Sequence, residues 1–249
     1  MRRLLLAFVL CLLAAPATAQ VAFVQGGHNK TPAGTHSSPL DTTIPATNDG
    51  NTLVVAVGNG DEPAAVQTVT AVEATGASFF LQGALTNGNA RAELWTARNI
   101  PAGITSVRVT WTAPTVGVVN IGEYSGVQGL GAIATASGSS TNPTISLATY
   151  NNNNIVACVF SEEGLGTGQI TAATTGTFRS SDYALGDGAP DVASALIDNT
   201  SATPASVTCT ATDASTNNWA AVALDLRSVF VPAASVTGTT TLGGAVGLQ

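Results

Sequence analysis

Apolar and polar residues alternate with a period of two along much of the chain, which indicates β-strands. Val107, Val109 and Trp111 alternate with polar residues, the pattern of a strand with one face in a core. Residues 53–57, Leu-Val-Val-Ala-Val, are apolar at every position and lie between Asn and Gly residues, as is typical of a central strand. Turn-forming Gly, Asn and Pro recur every ~8–12 residues. These patterns predict an all-β, antiparallel fold with Trp111 in its core.

Two parts of the chain resemble each other at a spacing of about 100 residues, a common domain size. Residues 53–57 align with residues 155–159, and residues 106–110 align with residues 206–210. We therefore expect a duplicated β-sandwich with about six or seven strands in each copy. The predicted parts are a signal segment at 1–19, a first copy at 20–127, a second copy at 128–228 and a tail at 229–249.

Two arrangements of these copies are open. They form either one large antiparallel sandwich with an internal pseudo-repeat or two tandem sandwiches similar to immunoglobulin domains. The connection at residues 124–130, Tyr-Ser-Gly-Val-Gln-Gly-Leu, is short and half apolar. Because independent domains are usually joined by exposed polar linkers, this connection favours close packing of the copies in one compact body.

The first residues have the features of an export signal. Arg2 and Arg3 precede a short apolar run at residues 4–13, and residues 17–19 are Ala-Thr-Ala. This order is typical of a secretory signal peptide cleaved after Ala19. The apolar run is shorter than the ~20 residues that span a bilayer. We therefore expect a secreted protein, extracellular, on the cell surface or in a periplasm, with no membrane insertion after cleavage.

Cys158 and Cys209 remain once the signal segment, with Cys11, is removed. An even pair in an exported protein favours one disulfide bond, and two buried thiols are the alternative. Cys209 is in phase with Val207, so it should point inward. In the first copy, Ala56 occupies the place of Cys158 in the alignment.

The cysteine pair resembles the bridge of immunoglobulin domains, since it joins two strands of one copy, although no Trp lies between the cysteines. Residues 123–127, Glu-Tyr-Ser-Gly-Val, and residues 219–227, Trp-Ala-Ala-Val-Ala-Leu-Asp-Leu-Arg, end the two copies. With these motifs the chain resembles duplicated β-sandwich proteins, Ig-like or jelly-roll-like, that bacteria secrete. The resemblance covers residues 21–228 and implies the fold.

Charge narrows the range of partners. Charged residues make up 9% of the sequence, and without Arg2 and Arg3 six basic residues face 15 acidic ones, a net charge of −9. Lys30 is the only lysine. Nucleic-acid binding needs clustered Lys and Arg, and docking on anionic lipid needs basic residues as well. The sequence therefore excludes nucleic acid as a natural partner and argues against a membrane surface.

The sequence offers few catalytic groups. His28 and His36 are the only histidines, and Asp41 or Asp49 could orient one of them toward a serine. Glu123 and Asp225 take equivalent places in the two copies, but no pattern brings two carboxylates to the fixed separation that a glycosidase needs. We expect no enzyme.

Acidic residues offer one metal candidate. Asp182, Asp187 and Asp191 are separated by glycines and could supply hard oxygen ligands to calcium, although their spacing is not that of an EF-hand. Calcium is thus the one cofactor considered, and a solvated acidic loop is the alternative. The acidic pairs at residues 61–62 and 162–163 follow equivalent strands and are expected to be solvated turns.

Aromatic residues and the tail suggest partners. Trp95, Trp219 and Tyr183 are candidate glycan contacts, because aromatic rings stack on the apolar faces of sugars; an ordinary position in the core or its rim is the alternative for each. The tail at 229–249 begins with Val-Phe-Val and continues as a Thr-rich alternating segment. Exposed sheet edges accept such strands, so the protein itself and a surface glycan are the expected partners.

These features together predict a non-enzymatic secreted β-sandwich that acts through surface contacts as a structural, adhesive or particle-coat component. A carbohydrate-binding module is the first alternative, and it requires exposed aromatic side chains on one face. A secreted hydrolase is the second alternative, and it requires a histidine beside a serine or carboxylate in a cleft.

Overall fold

The computed structural model describes residues 20–60, 66–149, 153–164, 170–185, 191–201, 204–213 and 216–228. The predicted signal segment at 1–19 and the tail at 229–249 lie outside these residues. The described part is all-β, and it contains no helix long and apolar enough to cross a membrane. Its strands are β1 (Ala22–Lys30), β2 (Leu40–Thr43), β3 (Thr52–Gly60), β4 (Val69–Ala74), β5 (Ala77–Ser78), β6 (Phe80–Asn87), β7 (Ala90–Arg98), β8 (Ser106–Trp111), β9 (Val116–Ser125), β10 (Gly129–Ser140), β11 (Thr144–Ala148), β12 (Asn154–Gly164), β13 (Ala172–Thr175), β14 (Thr177–Ala184), β15 (Asp191–Ser201), β16 (Ser206–Thr212) and β17 (Asn217–Arg227).

The strands form four antiparallel sheets. Inner sheet 1 has the order β1-β9-β3-β7-β6, and outer sheet 1 has the order β2-β8-β4-β5. Inner sheet 2 has the order β10-β17-β12-β15-β14, and outer sheet 2 has the order β11-β16-β13. Strands β1–β9 thus build one pair of sheets and strands β10–β17 build the other, nine and eight strands against the six or seven expected in each copy.

The sheets stack in four layers because both faces of each inner sheet are apolar. Leu53 and Val55 of β3 contribute to a core with outer sheet 1, whereas Val54 and Ala56 contribute to a core that contains residues of inner sheet 2. Phe160 of β12 belongs to a third core, with outer sheet 2. Each inner sheet therefore lies between two other sheets, and every residue of β3 is buried, as predicted for a central strand.

The structure joins features of both predicted arrangements. Each half of the chain is a sandwich of one inner and one outer sheet, and the two sandwiches pack face to face through their inner sheets. The inner sheets share one connectivity, with the first and last strands of each half paired at one edge. The origin of this likeness by duplication stays a prediction.

The disulfide bond between Cys158 and Cys209 is confirmed, and it links β12 in inner sheet 2 to β16 in outer sheet 2. Cys209 points inward and Trp111 is buried, both as predicted. The equivalence of Ala56 with Cys158 is wrong, since Ala56 faces the other inner sheet while Cys158 faces an outer sheet. The run at 53–57 is apolar at every position, so a shift of one residue left the aligned pattern unchanged but exchanged the faces.

Candidate functional site

Six acidic side chains of the described residues are buried, which is unusual because a buried charge is costly unless it is paired. They are Glu93, Glu123, Glu162, Asp198, Asp213 and Asp225. The hydrogen-bond partners of each carboxylate decide whether it serves the fold or is available for a ligand.

Glu123 holds a loop against inner sheet 1. Its Oε1 accepts hydrogen bonds from the Asn48 backbone N–H at 2.8 Å and from Asn51 Nδ2 at 2.6 Å. Its Oε2 accepts one from Gln25 Nε2. Asn48 and Asn51 belong to the polar turn before β3, so this carboxylate fixes the approach of the chain to its central strand. All of its hydrogen-bond donors belong to the fold itself.

Glu93 is held in the same way on β7. Arg91 Nε lies 2.7 Å from its Oε1, and the Val69 backbone N–H donates to the same atom at 3.0 Å. Trp95 Nε1 donates to Oε2 at 3.0 Å. The carboxylate therefore ties β7 of inner sheet 1 to β4 of outer sheet 1 and is fully engaged in the fold.

Asp198 forms a polar link at the interface between the two sandwiches. Arg179 Nε and Nη2 lie 2.7 and 2.9 Å from its two oxygens. The Tyr124 hydroxyl, on β9 of the other sandwich, donates to Oδ2 at 3.0 Å. Burial, and then the nearby Asp198 carboxylate, raise the pKa of Tyr124 well above its ordinary value. Phe23 packs edge-on against the Tyr124 ring and lies under the Arg179 guanidinium.

Asp225 and Glu123 do not converge. Asp225 lies on the face of β17 toward outer sheet 2, where Asn154 Nδ2 donates to it at 2.7 Å and Arg227 Nε lies 3.1 Å away. Glu123 lies on the face of inner sheet 1 toward outer sheet 1, with Ile121 of the same strand face. Both inner sheets separate these two carboxylates, so the structure does not form a catalytic pair from them.

Glu162 differs from these carboxylates. It is fully buried, and neither of its carboxylate oxygens has a hydrogen-bond partner. It lies beside the Asp213 carboxyl group and the Asn217 amide. Burial, and then the neighbouring Asp213 carboxyl group, raise the pKa of Glu162 to about 10, while the Asn217 amide acts in the opposite direction. The prediction of a solvated acidic turn at 162–163 is wrong, since both residues lie in β12.

Sequence reasoning missed Glu162 although a signal was present. Glu162 follows Phe160 and Cys158 at intervals of two residues, so it shares their inward phase. Glu163 takes the opposite phase, and its carboxylate accepts hydrogen bonds from Asn89. The pair was interpreted as one solvated unit, whereas strand geometry places its members on opposite faces of inner sheet 2.

The calcium candidates are only partly described. Lys30 Nζ lies 2.9 Å from Asp182 Oδ1, and His28 Nε2 lies 3.8 Å from Asp182 Oδ2. Asp187 and the side chain of Asp191 lie outside the described residues, so this trio stays a prediction. Within the described residues, no group of three His, Cys, Asp or Glu side chains converges to hold a metal ion.

The three candidate glycan contacts do not share one exposed face. Trp95 lies on the face of inner sheet 1 toward outer sheet 1. Trp219 is buried on the face of inner sheet 2 toward outer sheet 2, and its Nε1 donates to Ser140 Oγ at 3.1 Å. Tyr183 is half-buried on the edge strand β14, which β15 and β12 separate from β17. The structure therefore does not place these rings on one common surface.

Asp41, the suggested partner of a catalytic histidine, instead pairs with an arginine. Both of its carboxylate oxygens lie 2.8 Å from Arg108, on Nε and Nη2. This arginine holds the pKa of Asp41 below its ordinary value. His28 lies near Asp182 rather than Asp41. Among the described residues, Asp41 therefore does not form the histidine–aspartate pair that the hydrolase alternative requires.

One side of the inner sheets exposes large apolar side chains. The edge strands β6 and β10 lie together there, and Asn87 Nδ2 on β6 donates to the Gly138 carbonyl on β10 at 2.8 Å. Phe80 is 65% exposed, Leu81 47% and Ile133 42%. Exposed apolar side chains on neighbouring sheet edges are a feature of association surfaces.

A groove of about 320 Å³, here called the edge groove, lies on this side. Arg98 at its rim donates from Nη2 to the Gln128 carbonyl at 2.6 Å, and the Gln128 N–H donates to the Arg227 carbonyl at 2.8 Å. The rim of the groove is thereby connected to Arg227, one residue before the last described residue, Ser228. The edge groove is lined by Ser78, Phe80, Gln82, Thr96, Arg98 and Leu130.

No protein-family model matches this chain, and no curated protein and no solved structure shows significant similarity to it. Its function must therefore be argued from its own residues.

Proposed function

We propose that the chain is a secreted, non-enzymatic β-protein that acts through surface contacts as a structural, adhesive or coat component, and that its copies join through residues 229–249. The observation that carries this proposal is the link from Arg98, at the rim of the edge groove, through Gln128 to Arg227 near the end of the described chain. The occupant of the groove is the tail of a second copy.

The chemistry of the tail suits the edge groove. Residues 229–231 are Val-Phe-Val, which can cover the exposed ring of Phe80 and the side chain of Leu130. Residues 235–242 alternate small polar and apolar side chains, and such a segment can add a strand to the open edge of β6 or β10. Burial of apolar area at about 25 cal/mol per Å² would drive this association.

The position of the groove is compatible with exchange of tails between copies. Arg227, near the end of the described chain, is connected through Gln128 to Arg98 at the rim of the groove. Two copies related by a two-fold axis can therefore each insert a tail into the partner, which closes the assembly and leaves no unmatched groove. A contact that is not closed in this way would build a fibre, which also fits a structural role.

The buried acidic groups support a non-enzymatic role. Glu93, Glu123, Asp198 and Asp225 are each held by two or more donors within the fold. Their hydrogen bonds connect loops and sheets, so these four carboxylates serve the architecture.

Light scattering of two exported forms tests the proposal. The form with residues 20–249 is expected to be a dimer or larger assembly, and the form with residues 20–228 a monomer. Phe80→Ser in the longer form is expected to return the monomer, because it removes the apolar side chain at the groove. Val24→Ser is the matched control, since Val24 is also exposed but lies on β1, at the opposite edge of inner sheet 1.

A monodisperse monomer of the longer form would reject self-assembly, and so would an assembly that survives both the truncation and Phe80→Ser. A monomeric longer form in which the tail occupies its own groove would show protection of β6 amides from hydrogen exchange that is lost on truncation. That result would assign the groove to the chain's own tail and reject the exchange between copies.

Secretion forms part of the proposal and has its own test. Its support is the signal-like segment at residues 1–19 together with the Cys158–Cys209 bond, since disulfides persist in oxidising compartments. Mass spectrometry of the protein recovered from an exporting host is expected to find Gln20 as the first residue. Recovery of the uncut chain from the cytoplasmic fraction alone would contradict secretion.

A further inference from the structure

Glu162 lies at one end of the second sandwich with two other polar residues. It points from β12 toward outer sheet 2, on the same strand face as Cys158 and Phe160. Asp213 directly follows β16, and Asn217 begins β17, so three neighbouring strands bring the groups together. Asn217 Nδ2 donates to Asp213 Oδ2 at 3.4 Å, which is a long hydrogen bond.

The hydrogen bonding of Glu162 is incomplete. Both of its carboxylate oxygens are buried, and neither has a hydrogen-bond partner. No other buried carboxylate of the described residues has both oxygens in this state. Buried polar groups in native proteins are nearly always satisfied by protein, water or an ion. A buried carboxylate that faces a second carboxylate therefore requires a shared proton or a bound cation.

Among the described residues, every lysine and arginine is engaged elsewhere. Lys30 pairs with Asp182, and Arg98 binds a backbone carbonyl. The other four pair with carboxylates away from Glu162, and they are Arg91, Arg108, Arg179 and Arg227. The pair of Glu162 and Asp213 is therefore neutralised either by a proton or by a cation from outside the chain.

We propose that Glu162, Asp213 and Asn217 form a binding site for a divalent cation of the calcium class. Two carboxylates and one amide offer only oxygen ligands of the hard type that calcium prefers. Calcium takes six to eight such ligands in flexible geometry, so backbone carbonyls and water would complete its shell. This site is separate from the trio of Asp182, Asp187 and Asp191.

A shared proton is the competing occupant. One proton between Glu162 and Asp213 would neutralise one of the two carboxylates and leave the other charged in a buried place. A divalent cation neutralises both. The cation also bridges β12 to the start of β17 and the end of β16, so it would fix both sheets of the second sandwich at this end.

Terbium luminescence tests the site, because terbium replaces calcium and is excited by a nearby indole. Trp219 lies directly opposite Glu162 in the β12–β17 ladder, where facing residues have Cα atoms about 4.5–5.5 Å apart. The exported chain of residues 20–249, stripped with EDTA, is expected to sensitise terbium emission. Calcium is expected to displace the terbium and to raise the melting temperature.

Glu162→Gln is expected to abolish both the emission and the calcium-induced shift. This variant keeps the shape of the side chain and removes a buried charge, so it should fold, and its melting temperature without metal should equal or exceed that of the EDTA-treated parent. Glu163→Gln is the matched control. Its carboxylate lies on the opposite face of β12, held by Asn89, and we expect it to keep both responses.

Three outcomes would overturn the proposal. One is a melting temperature that calcium at about 10 mM does not change, since extracellular calcium modules bind at roughly 10⁻⁴–10⁻³ M. Another is equal terbium emission from the parent and Glu162→Gln. The third is loss of the response in Glu163→Gln with its retention in Glu162→Gln. The first outcome would assign the shared proton to the pair.

Discussion

Arg179→Met tests whether burial strengthens the Arg179–Asp198 ion pair, which lies at the interface between the two sandwiches. Arg179 contacts Asp198 through two nearly parallel hydrogen bonds of 2.7 and 2.9 Å. The Asp198 side chain is 1% exposed and the Arg179 side chain 24%. Methionine keeps much of the length and apolar contact of arginine but removes the charge and both donors. The variant therefore leaves Asp198 buried with the Tyr124 hydroxyl as its remaining described donor.

The expected loss can be worked from these contacts. Removal of one partner from a buried ion pair costs about 3–5 kcal/mol, because the other charge stays buried without compensation. The remaining bond from Tyr124 and the partial exposure of Arg179 place the loss near the lower limit, about 3 kcal/mol. Loss of the arginine from above the Phe23 ring, 4.2 Å away, adds about 0.5–1 kcal/mol. We expect the folding equilibrium constant to fall more than a hundredfold.

Arg108→Met is the matched control. Arg108 pairs with Asp41 in the same two-bond geometry, at 2.8 and 2.8 Å, but both side chains are 51% exposed. Exposed pairs contribute little because water screens them, so this variant should unfold within error of the parent. Chemical denaturation monitored by tryptophan fluorescence measures both variants. Equal losses in the two variants would refute the role of burial, and no loss in Arg179→Met would show that the ion pair does not stabilise the fold.

Three further changes probe the fold. Replacing both Cys158 and Cys209 by alanine should lower the free energy of unfolding by about 4 kcal/mol, since the bridged residues are 51 apart in sequence; denaturant titration measures the loss. Gly58→Val should cost about 1–3 kcal/mol, because a Cβ there would lie 2.5 Å from the Cβ of Ser194 across the inner sheets; thermal melting measures this. The raised pKa of Tyr124 should leave one fewer tyrosine to ionise near pH 11 in the folded protein than in the unfolded one, as read from phenolate absorbance.

Each change has a control. The parent protein treated with a reductant should lose the same stability as the cysteine variant, and a parent that is unaffected by complete reduction would contradict the disulfide prediction. Gly129→Ala should be neutral, since its nearest neighbour would lie 3.9 Å from the new Cβ. Tyr124→Phe should remove the difference in ionising tyrosines. Because the folded-state pKa is raised, Tyr124 contributes stability below pH 10 that is lost as the pH rises further.

The sequence was sufficient to predict the strands and the inward phase of particular residues. Cys209 and Trp111 were placed correctly because each belongs to a strand with clear alternation. The order in which the sheets are stacked could not be predicted from the sequence. Residues 53–57 show that both faces of β3 are covered but not which sheet covers each face. The sequence left Trp219 as either a glycan contact or a residue of the core or its rim, and its burial follows from the position of β17, second in inner sheet 2 beneath outer sheet 2.

The candidate site was harder to predict than the fold. Glu162 and Asp213 lie 51 positions apart in the sequence, and only the packing of outer sheet 2 on inner sheet 2 brings their carboxyl groups together. The composition did not indicate that two acidic side chains would be buried together, because acidic residues are normally solvated. The phase of Glu162 in its strand was the local signal, and it needed the register of β12 to be informative.

The complete burial of β3 has a consequence for how the chain selects one pairing. In most antiparallel sheets a slip of one residue exposes apolar side chains, so solvent enforces the register. In β3 the slip would only exchange one apolar core for another. The slip would instead break hydrogen bonds to the buried Glu123 carboxylate. Glu123 pairs with Leu53 in the observed register, and a slip would remove Asn48 and Asn51 as its donors. We therefore expect the buried carboxylate to specify the register of β3, as a single buried polar residue does in a coiled coil.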